Sequence, residues 1–167
     1  MIPAALRLCA SIERAAAEGD DRRFSFVCST ETLDRNGRIV VQDWELDDFK
    51  KNPIVLWNHG EGGSFWGDIE IDEYFPIGRA ENVRVEKNTL LADLIIATGD
   101  VNPLAERVYQ ALKQGVLNAV SVGWSPRDRR YELHDDEEVL VVSGNRLLEI
   151  SVVPFPANPE AVRASFC

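Results

Sequence analysis

Extended-chain patterning recurs along almost the whole of this sequence, whereas a well-punctuated helical period occurs in one place. Residues 24–30, FSFVCST, alternate Phe24, Phe26 and Cys28 against Ser25, Val27 and Ser29, which is a strand signal. A turn follows over 33–38 with Asn36-Gly37 at its tip, and Ile39-Val40-Val41 resumes the extended chain. Asp43 reads as the cap of a short helix carrying Trp44, Leu46 and Phe49, which Asn52-Pro53 ends. The unbroken apolar run at 53–57 reads as a strand buried on both faces that delivers Asn58 and His59 at its exit. A glycine-rich loop follows at 60–64. Residues 69–75 and 76–86 read as extended, 86–89 as a turn and 90–97 as a strand.

The helical stretch spans about 102–114. Asp100 or Asn102 caps it, Pro103 occupies its first turn, and Leu104, Val108, Ala111 and Leu112 form its apolar stripe. Gly115 suits the left-handed position that closes it. A strand at 118–124, a polar hairpin over 128–142, a turn at Ser143-Gly144-Asn145 and a strand at 146–153 complete the pattern before Pro154, Pro156 and Pro159 end regular structure. At the N-terminus, residues 4–17 read as a short amphipathic helix with Leu8, Ile12 and Ala15 or Ala16 on one face, a docking arm rather than a signal. Arg7 breaks the apolar run there, and no stretch of roughly 18 apolar residues exists to span a bilayer. With 167 residues, 45% of them apolar, and no repeat or linker, the expectation is one α+β domain: a mostly antiparallel β-barrel flanked by a few helices.

The formal charge of −10 disfavours phosphate backbones and so argues against nucleic acid as a direct partner. Arg127, Arg129 and Arg130 are interrupted by Asp128 and followed by acids at 135–138. Cys9, Cys28 and Cys167 are far apart, odd in number and outside metal spacing, which fits a reducing compartment. With two histidines, His59 and His134, a histidine-rich metal site is not expected, and no metal or organic cofactor is called for.

Three residues do not suit a plain core. Ser121 lies in LNAVSVGW, where Ala119, Ser121 and Gly123 share one face and Val120, Val122 and Trp124 the other. With the large residues toward the core, the small ones leave room above the Ser121 hydroxyl for a substrate carbonyl; a buried serine bonded to backbone is the plainer alternative. His59 ends a buried strand beside a glycine-rich loop, where an imidazole serves as a general base or simply terminates the strand. His134 is a weaker candidate among Asp135, Asp136, Glu137 and Glu138. Glu149 stands in RLLEISVV, where an ionised carboxylate costs several kcal/mol unless it is paired. Its partner is either His59, whose tautomer it would fix, or an arginine such as Arg38 or Arg79 in a structural ion pair. Cys28 is the alternative nucleophile, though its alternation with Phe24 and Phe26 makes it a core filler.

Taken in order, these segments resemble the prohead maturation serine proteases of tailed bacteriophages. The motifs that carry the resemblance are Ser29-Thr30, Asp34-Arg35-Asn36-Gly37 and Ile39-Val40; Trp44, Leu46, Phe49 and Asn52-Pro53; and Val55-Leu56-Trp57 with His59. Pro76-Ile77-Gly78-Arg79, the helix ending in Gly115, Ala119 through Trp124, and Leu148-Glu149-Ile150-Ser151-Val152-Val153-Pro154 with Pro156-Ala157-Asn158-Pro159 follow. The resemblance covers residues 24–162, which it marks as the protease domain, between an N-terminal helical arm at 1–23 and a short C-terminal tail at 163–167.

The resemblance implies a fold similar to that of the herpesvirus assembly proteases. It implies a serine endopeptidase that works inside the procapsid, in the host cytoplasm during assembly. Its implied substrates are the scaffolding protein, a scaffolding segment of the major capsid protein, and itself. The portal is a further candidate partner, self-association is open, and neither membrane nor nucleic acid is expected. The family's histidine falls on His59, its serine on Ser121 and its acidic member on Glu149. The herpesvirus relatives use a second histidine in that third place, but His134 matches no motif. The oxyanion would meet an N–H of the turn at 153–158, from Phe155 or Ala157. The loop at 60–75, with Phe65, Trp66 and Tyr74, is longer than the resemblance leads one to expect. It reads either as an insertion at the cleft, with Phe65 and Trp66 shaping substrate choice, or as a peripheral hairpin.

Overall fold

The computed structural model describes residues 22–60 and 75–164. The expected arm helix at 4–17, the loop residues Phe65, Trp66 and Tyr74, and residues 165–167 of the tail lie outside the described residues. In chain order the elements are β1 (Arg23–Thr30), β2 (Arg38–Val40), β3 (Trp44–Glu45), α1 (Asp47–Lys51), β4 (Ile54–Trp57), β5 (Gly78–Val85), β6 (Thr89–Ile96), α2 (Pro103–Lys113), β7 (Ala119–His134) and β8 (Glu137–Val153). The fold is thus mostly strand with few helices, its sheet curled into a half-barrel.

Strand β8 is the spine. Along one edge it pairs antiparallel with β7 from Val153 down to Glu137. Along the other edge it takes β2, β3 and β4 in succession, all parallel to it. The sheet then continues antiparallel from β4 through β5 and β6 to β1. The pairing is therefore mixed, and the parallel ladders on β8 were not foreseen from the sequence. Segment 161–163 bridges the two arms of the curl. Val27 N–H donates to Val162 O (3.1 Å), Val120 N–H to Ala161 O (3.0 Å) and Arg163 N–H to Asn118 O (2.7 Å).

Several local readings are corrected. The turn expected at Ser143-Gly144-Asn145 is absorbed into β8, and β7 runs unbroken past it. Gly144 adopts φ +62° with Arg127 packed over it, so close that an added Cβ would lie 2.9 Å from Arg127 Cβ. The one reversal between β7 and β8 comes at Asp135-Asp136, inside the hairpin expected over 128–142, with φ 50° and 65°, the pair of positive values that a type I′ hairpin needs. Asp43 does not cap a helix. Its carboxylate accepts from Gly144 N–H (2.8 Å) and Asn145 Nδ2 (3.2 Å), which pulls Trp44 and Glu45 into the sheet. The helix α1 then starts at Asp47 with no side-chain cap. In β4 only Val55 is buried, because the strand is short and flanks the cleft described below.

The core lies between the sheet and α2 and includes Phe26, Leu94, Ile96, Leu112, Val120 and Ile150. The buried stripe of α2 is Ala105, Val108, Tyr109 and Leu112, rotated slightly from the expected one. Tyr109 takes Leu104's expected share by packing against Phe24 at 6.0 Å, under the Arg22 guanidinium at 3.9 Å. Gly115 closes the helix at φ +73°. Val120 is in the core, but Val122 and Trp124 are only partly buried. Leu148 is an extra residue in β8 between the pairs Gly123↔Glu149 and Trp124↔Leu147, a bulge that locally breaks the alternation. Trp124 accordingly lies beside the cleft, edge-on to Trp44 at 6.3 Å.

Asn102 joins α2 to the start of β5. Its Oδ1 accepts from Leu104 N–H (2.9 Å) while Nδ2 donates to Phe75 O and Pro76 O (3.2 and 3.4 Å). Replacing a capping asparagine by alanine costs about 1 kcal/mol, and the further lost bonds raise that to about 2 kcal/mol. Urea unfolding of Asn102→Ala should show this loss, and a midpoint equal to wild type would show that the residue does not hold the helix.

Candidate active site

The site is built by register. Antiparallel pairing sets Ser121 opposite Ser151 and Gly123 opposite Glu149, so these four residues share one face of the β7–β8 ribbon. The glycine makes room for the acid. A Cβ on Gly123 would lie 2.9 Å from Glu149 Cγ and 3.0 Å from its Cδ, and nearer still to Oε1. The Glu149 side chain therefore lies across the Gly123 backbone, in space that any other residue would fill.

On the opposite edge of β8, Leu56 pairs with Ser151 and Trp57 with Val152. The chain then turns sharply at Asn58, His59 and Gly60, with φ of 46°, 60° and 68°. A run of left-handed residues that includes histidine is strained and persists only where the surroundings over-determine it. Here His59 N–H donates to Ser151 Oγ at 3.0 Å. The turn carries the imidazole to Glu149, with Nδ1 2.7 Å from Oε1. Ser151 Oγ donates in turn to Glu149 Oε2 at 2.6 Å. The Glu149 side chain is 14% exposed and that of His59 34%, so the pair sits at the boundary of solvent.

His59 and Ser121 line the same cleft, of about 400 Å3. One wall is the ribbon, with Gly123 and Trp124. The facing wall comes from the turn after β1 and from the segment after β8, including Ala157 and Asn158. Both parts of that wall are braced. Asp34 Oδ1 accepts from Asn36 N–H and Arg38 N–H (2.8 and 2.9 Å), and Asn158 Nδ2 donates to Thr30 O (3.0 Å). Arg35 N–H donates to Ala157 O (2.9 Å), and the Arg35 guanidinium donates to Pro156 O. Ser121 itself is 7% exposed.

Of the partners weighed for Glu149, the structure gives it His59. Arg38 is paired with Asp34 at 3.0 Å and lies over Trp124, and Arg79 is paired with Glu81 at 2.8 Å. His134 is exposed at the far end of β7, roughly 40 Å of strand away from Ser121. Cys28 reaches the floor of the cleft but is 1% exposed. Burial, and then the negative charge of Asp93, push its thiol well above the ordinary range, so a thiolate is not at hand. Of the two oxyanion candidates, Ala157 lines the cleft, whereas the Phe155 ring points outward, 77% exposed and under the Arg35 guanidinium. Among the described residues no group of three or more His, Cys, Asp or Glu side chains is placed to hold a metal ion.

Sequence reasoning missed Ser151, Arg35 and Trp124. The only signal for Ser151 was its shared face with Glu149. Arg35 stood only as part of the Asp34-Arg35-Asn36-Gly37 motif, since its contacts lie more than a hundred residues away, and Trp124 was masked by the bulge at Leu148.

Comparison with known proteins bears on the family and the fold of the chain. Residues 76–166 match the family model of the caudovirus prohead serine protease. Among solved structures, the chain is similar to the bacteriophage T4 capsid assembly protease, gp21, with a TM-score of 0.54 at 13% identity, over 80% of this chain and 82% of that one. That likeness is one of fold. No curated protein matches the chain. On the family match over more than half its length, the chain belongs to the caudovirus prohead serine proteases.

Proposed function

We propose that this chain is the serine endopeptidase of a phage procapsid, with Ser121 as nucleophile, His59 as general base and Glu149 as the residue that orients His59. The observation that carries the reading is the 2.7 Å contact of His59 Nδ1 with Glu149 at the mouth of the cleft that Ser121 lines. A carboxylate accepts only, so Nδ1 bears the proton in that contact, and Nε2 is the nitrogen to take the Ser121 proton. Ser121 Oγ attacks the scissile carbonyl, and the imidazolium, steadied by Glu149, gives its proton to the leaving amine. Water then attacks the acyl carbon as His59 accepts its proton, and His59 returns that proton to Ser121 Oγ as the acyl group leaves as a carboxylic acid product.

For the oxyanion we favour the N–H groups of Ala157 and Asn158 over that of Phe155. Arg35 holds the carbonyls of Pro156 and Ala157. In trans peptides the following N–H points away from the carbonyl, so both donors turn from Arg35. The substrates are the scaffolding protein, the scaffolding segment of the major capsid protein, and the protease itself. The place of action is the procapsid interior within the host cytoplasm, and the portal is a further contact. No helix among the described residues is long and apolar enough to cross a membrane.

Co-expression with the capsid or scaffold gene beside it, read by intact mass, tests the reading. Wild type should yield new fragments that Ser121→Ala abolishes while Cys28→Ser keeps them. Identical masses for wild type and Ser121→Ala would instead favour an assembly protein that retains the fold without the chemistry. The rate should rise with pH through one ionisation as His59 loses its proton, and a flat profile would remove His59 as the base. Glu149→Gln should leave the fold intact and slow cleavage. Gly123→Ala should slow it too, because the new methyl displaces the Glu149 carboxylate from His59 and Ser151. Undiminished cleavage by either variant would take Glu149 out of the mechanism.

A further inference from the structure

Every described hydrogen-bonding capacity of the Ser151 hydroxyl is directed at the other members of the site. Ser151 is fully buried, near the C-terminal end of β8, directly opposite Ser121 in β7 and directly opposite Leu56 in β4. It therefore sits between the strand that carries the serine and the strand that leads to the histidine. Its hydroxyl has one proton and its oxygen accepts. The His59 N–H is a donor with no acceptor capacity, so that 3.0 Å contact uses the Ser151 oxygen. The single Ser151 proton then goes to Glu149 Oε2 at 2.6 Å. With Oε2 occupied by Ser151, Oε1 is the oxygen presented to His59 Nδ1.

We propose that Ser151 is a positioning residue of this site: its hydroxyl fixes both the left-handed His59 turn and the Glu149 carboxylate, and so sets the tautomer and aim of the imidazole. The inference rests on the assignment of His59, Glu149 and Ser121 made above. It differs from an ordinary buried serine in a definite way. An ordinary one satisfies itself on nearby backbone, whereas this one joins the backbone of residue 59 to the side chain of residue 149. Removing the hydroxyl leaves a carboxylate oxygen short of a donor and an N–H of a strained turn short of an acceptor at once. The imidazole then loses its single orientation, and misplacement of a catalytic group by about 1 Å is enough to cost on the order of a hundredfold in rate.

Ser25 supplies a matched control. It is also buried, and its hydroxyl also donates to a carboxylate, Asp93 Oδ1, at 2.7 Å, but it lies in β1 among Arg23 and Asn82, away from the cleft. The experiment uses the full chain and a fluorophosphonate probe. Ser121 Oγ forms the O–P bond, the P–F bond breaks, fluoride leaves, and the serine proton passes to His59. Labelling rates are read by intact mass with Ser121→Ala as blank. The His59 tautomer is read by nitrogen NMR on histidine-labelled protein, which is simple with two histidines in the chain.

Wild type should label at Ser121 and show His59 protonated on Nδ1. Ser151→Ala should label about 10- to 100-fold more slowly, with the probe's half-saturating concentration unchanged, and show mixed tautomers. Ser25→Ala should match wild type in both readouts despite its comparable loss of a buried bond. Ser151→Cys keeps the size and a weak donor, and should fall between wild type and alanine; it carries the test should Ser151→Ala fail to fold. Wild-type rates and a single Nδ1–H tautomer in the folded Ser151 variants would overturn the proposal and leave the serine-protease assignment standing. Absence of labelling in wild type would sink that assignment, and the role of Ser151 with it.

Discussion

The structure around the cleft depends on keeping one carboxylate inside a strand. An ionised glutamate held largely out of water toward the end of β8 is costly unless its oxygens are bonded. Glu149 meets that requirement with Ser151 on one oxygen and His59 on the other. Each partner imposes a condition in turn. The carboxylate needs a glycine beneath it, which is Gly123. The histidine must leave β4 through a left-handed turn, which Asn58, His59 and Gly60 supply. The serine must sit two residues on, at the next position on the same face of β8. Three sequence features that look unrelated in the linear chain thus follow from placing a single carboxylate largely out of solvent.

The spine role of β8 explains how residues so distant meet. Strands β2, β3 and β4 run parallel to β8 on one edge while β7 runs antiparallel on the other. A parallel neighbour must arrive from elsewhere in the chain, so the histidine comes from about ninety residues upstream, the |i−j| of 90 in its contact with Glu149. The serine comes from the hairpin partner, where register is set by the long ribbon and its two-residue turn. With both edges of β8 paired, Glu149 and Ser151 have little freedom to drift, which suits a site that relies on orientation.

What could be read from the sequence follows from the range of each interaction. The helix at α2, the strands β1 and β6, and the turn at Asn36-Gly37 rest on local periodicity and turn chemistry, and they stand where the pattern put them. Ser121, His59 and Glu149 were legible because each breaks its local pattern. The misreadings all involve partners distant in sequence. Asp43 has the composition of a cap, but the Gly144 amide claims its carboxylate across about a hundred residues. Ser143-Gly144-Asn145 has the composition of a turn, but β7 continues opposite it and holds it in register. The bulge at Leu148 moves Trp124 to the cleft, and no single-strand alternation could show an extra residue on the neighbouring strand. The contacts of Ser151 and Arg35 were unreadable for the same reason, since they form only once distant parts of the chain are assembled.

The two walls of the cleft are held by different physics, and the difference bears on how the site could work. The ribbon wall is rigid because it is sheet: its residues are fixed by ladder bonds on both sides of β8. The facing wall has no ladder, since Pro154 and Pro156 have no N–H to donate. It is held by polar braces instead, with Arg35 on the carbonyls of Pro156 and Ala157 and Asn158 on Thr30. Those braces fix the two carbonyls on Arg35 and, through the planarity of the peptide, fix the N–H groups opposite them. Donors held in this way need no reorganisation when charge develops on a substrate oxygen, which is the condition under which such donors contribute most to catalysis. On the oxyanion reading proposed above, a chain whose last described strand ends at Val153 would take its pair of donors from a segment held by one arginine and one asparagine.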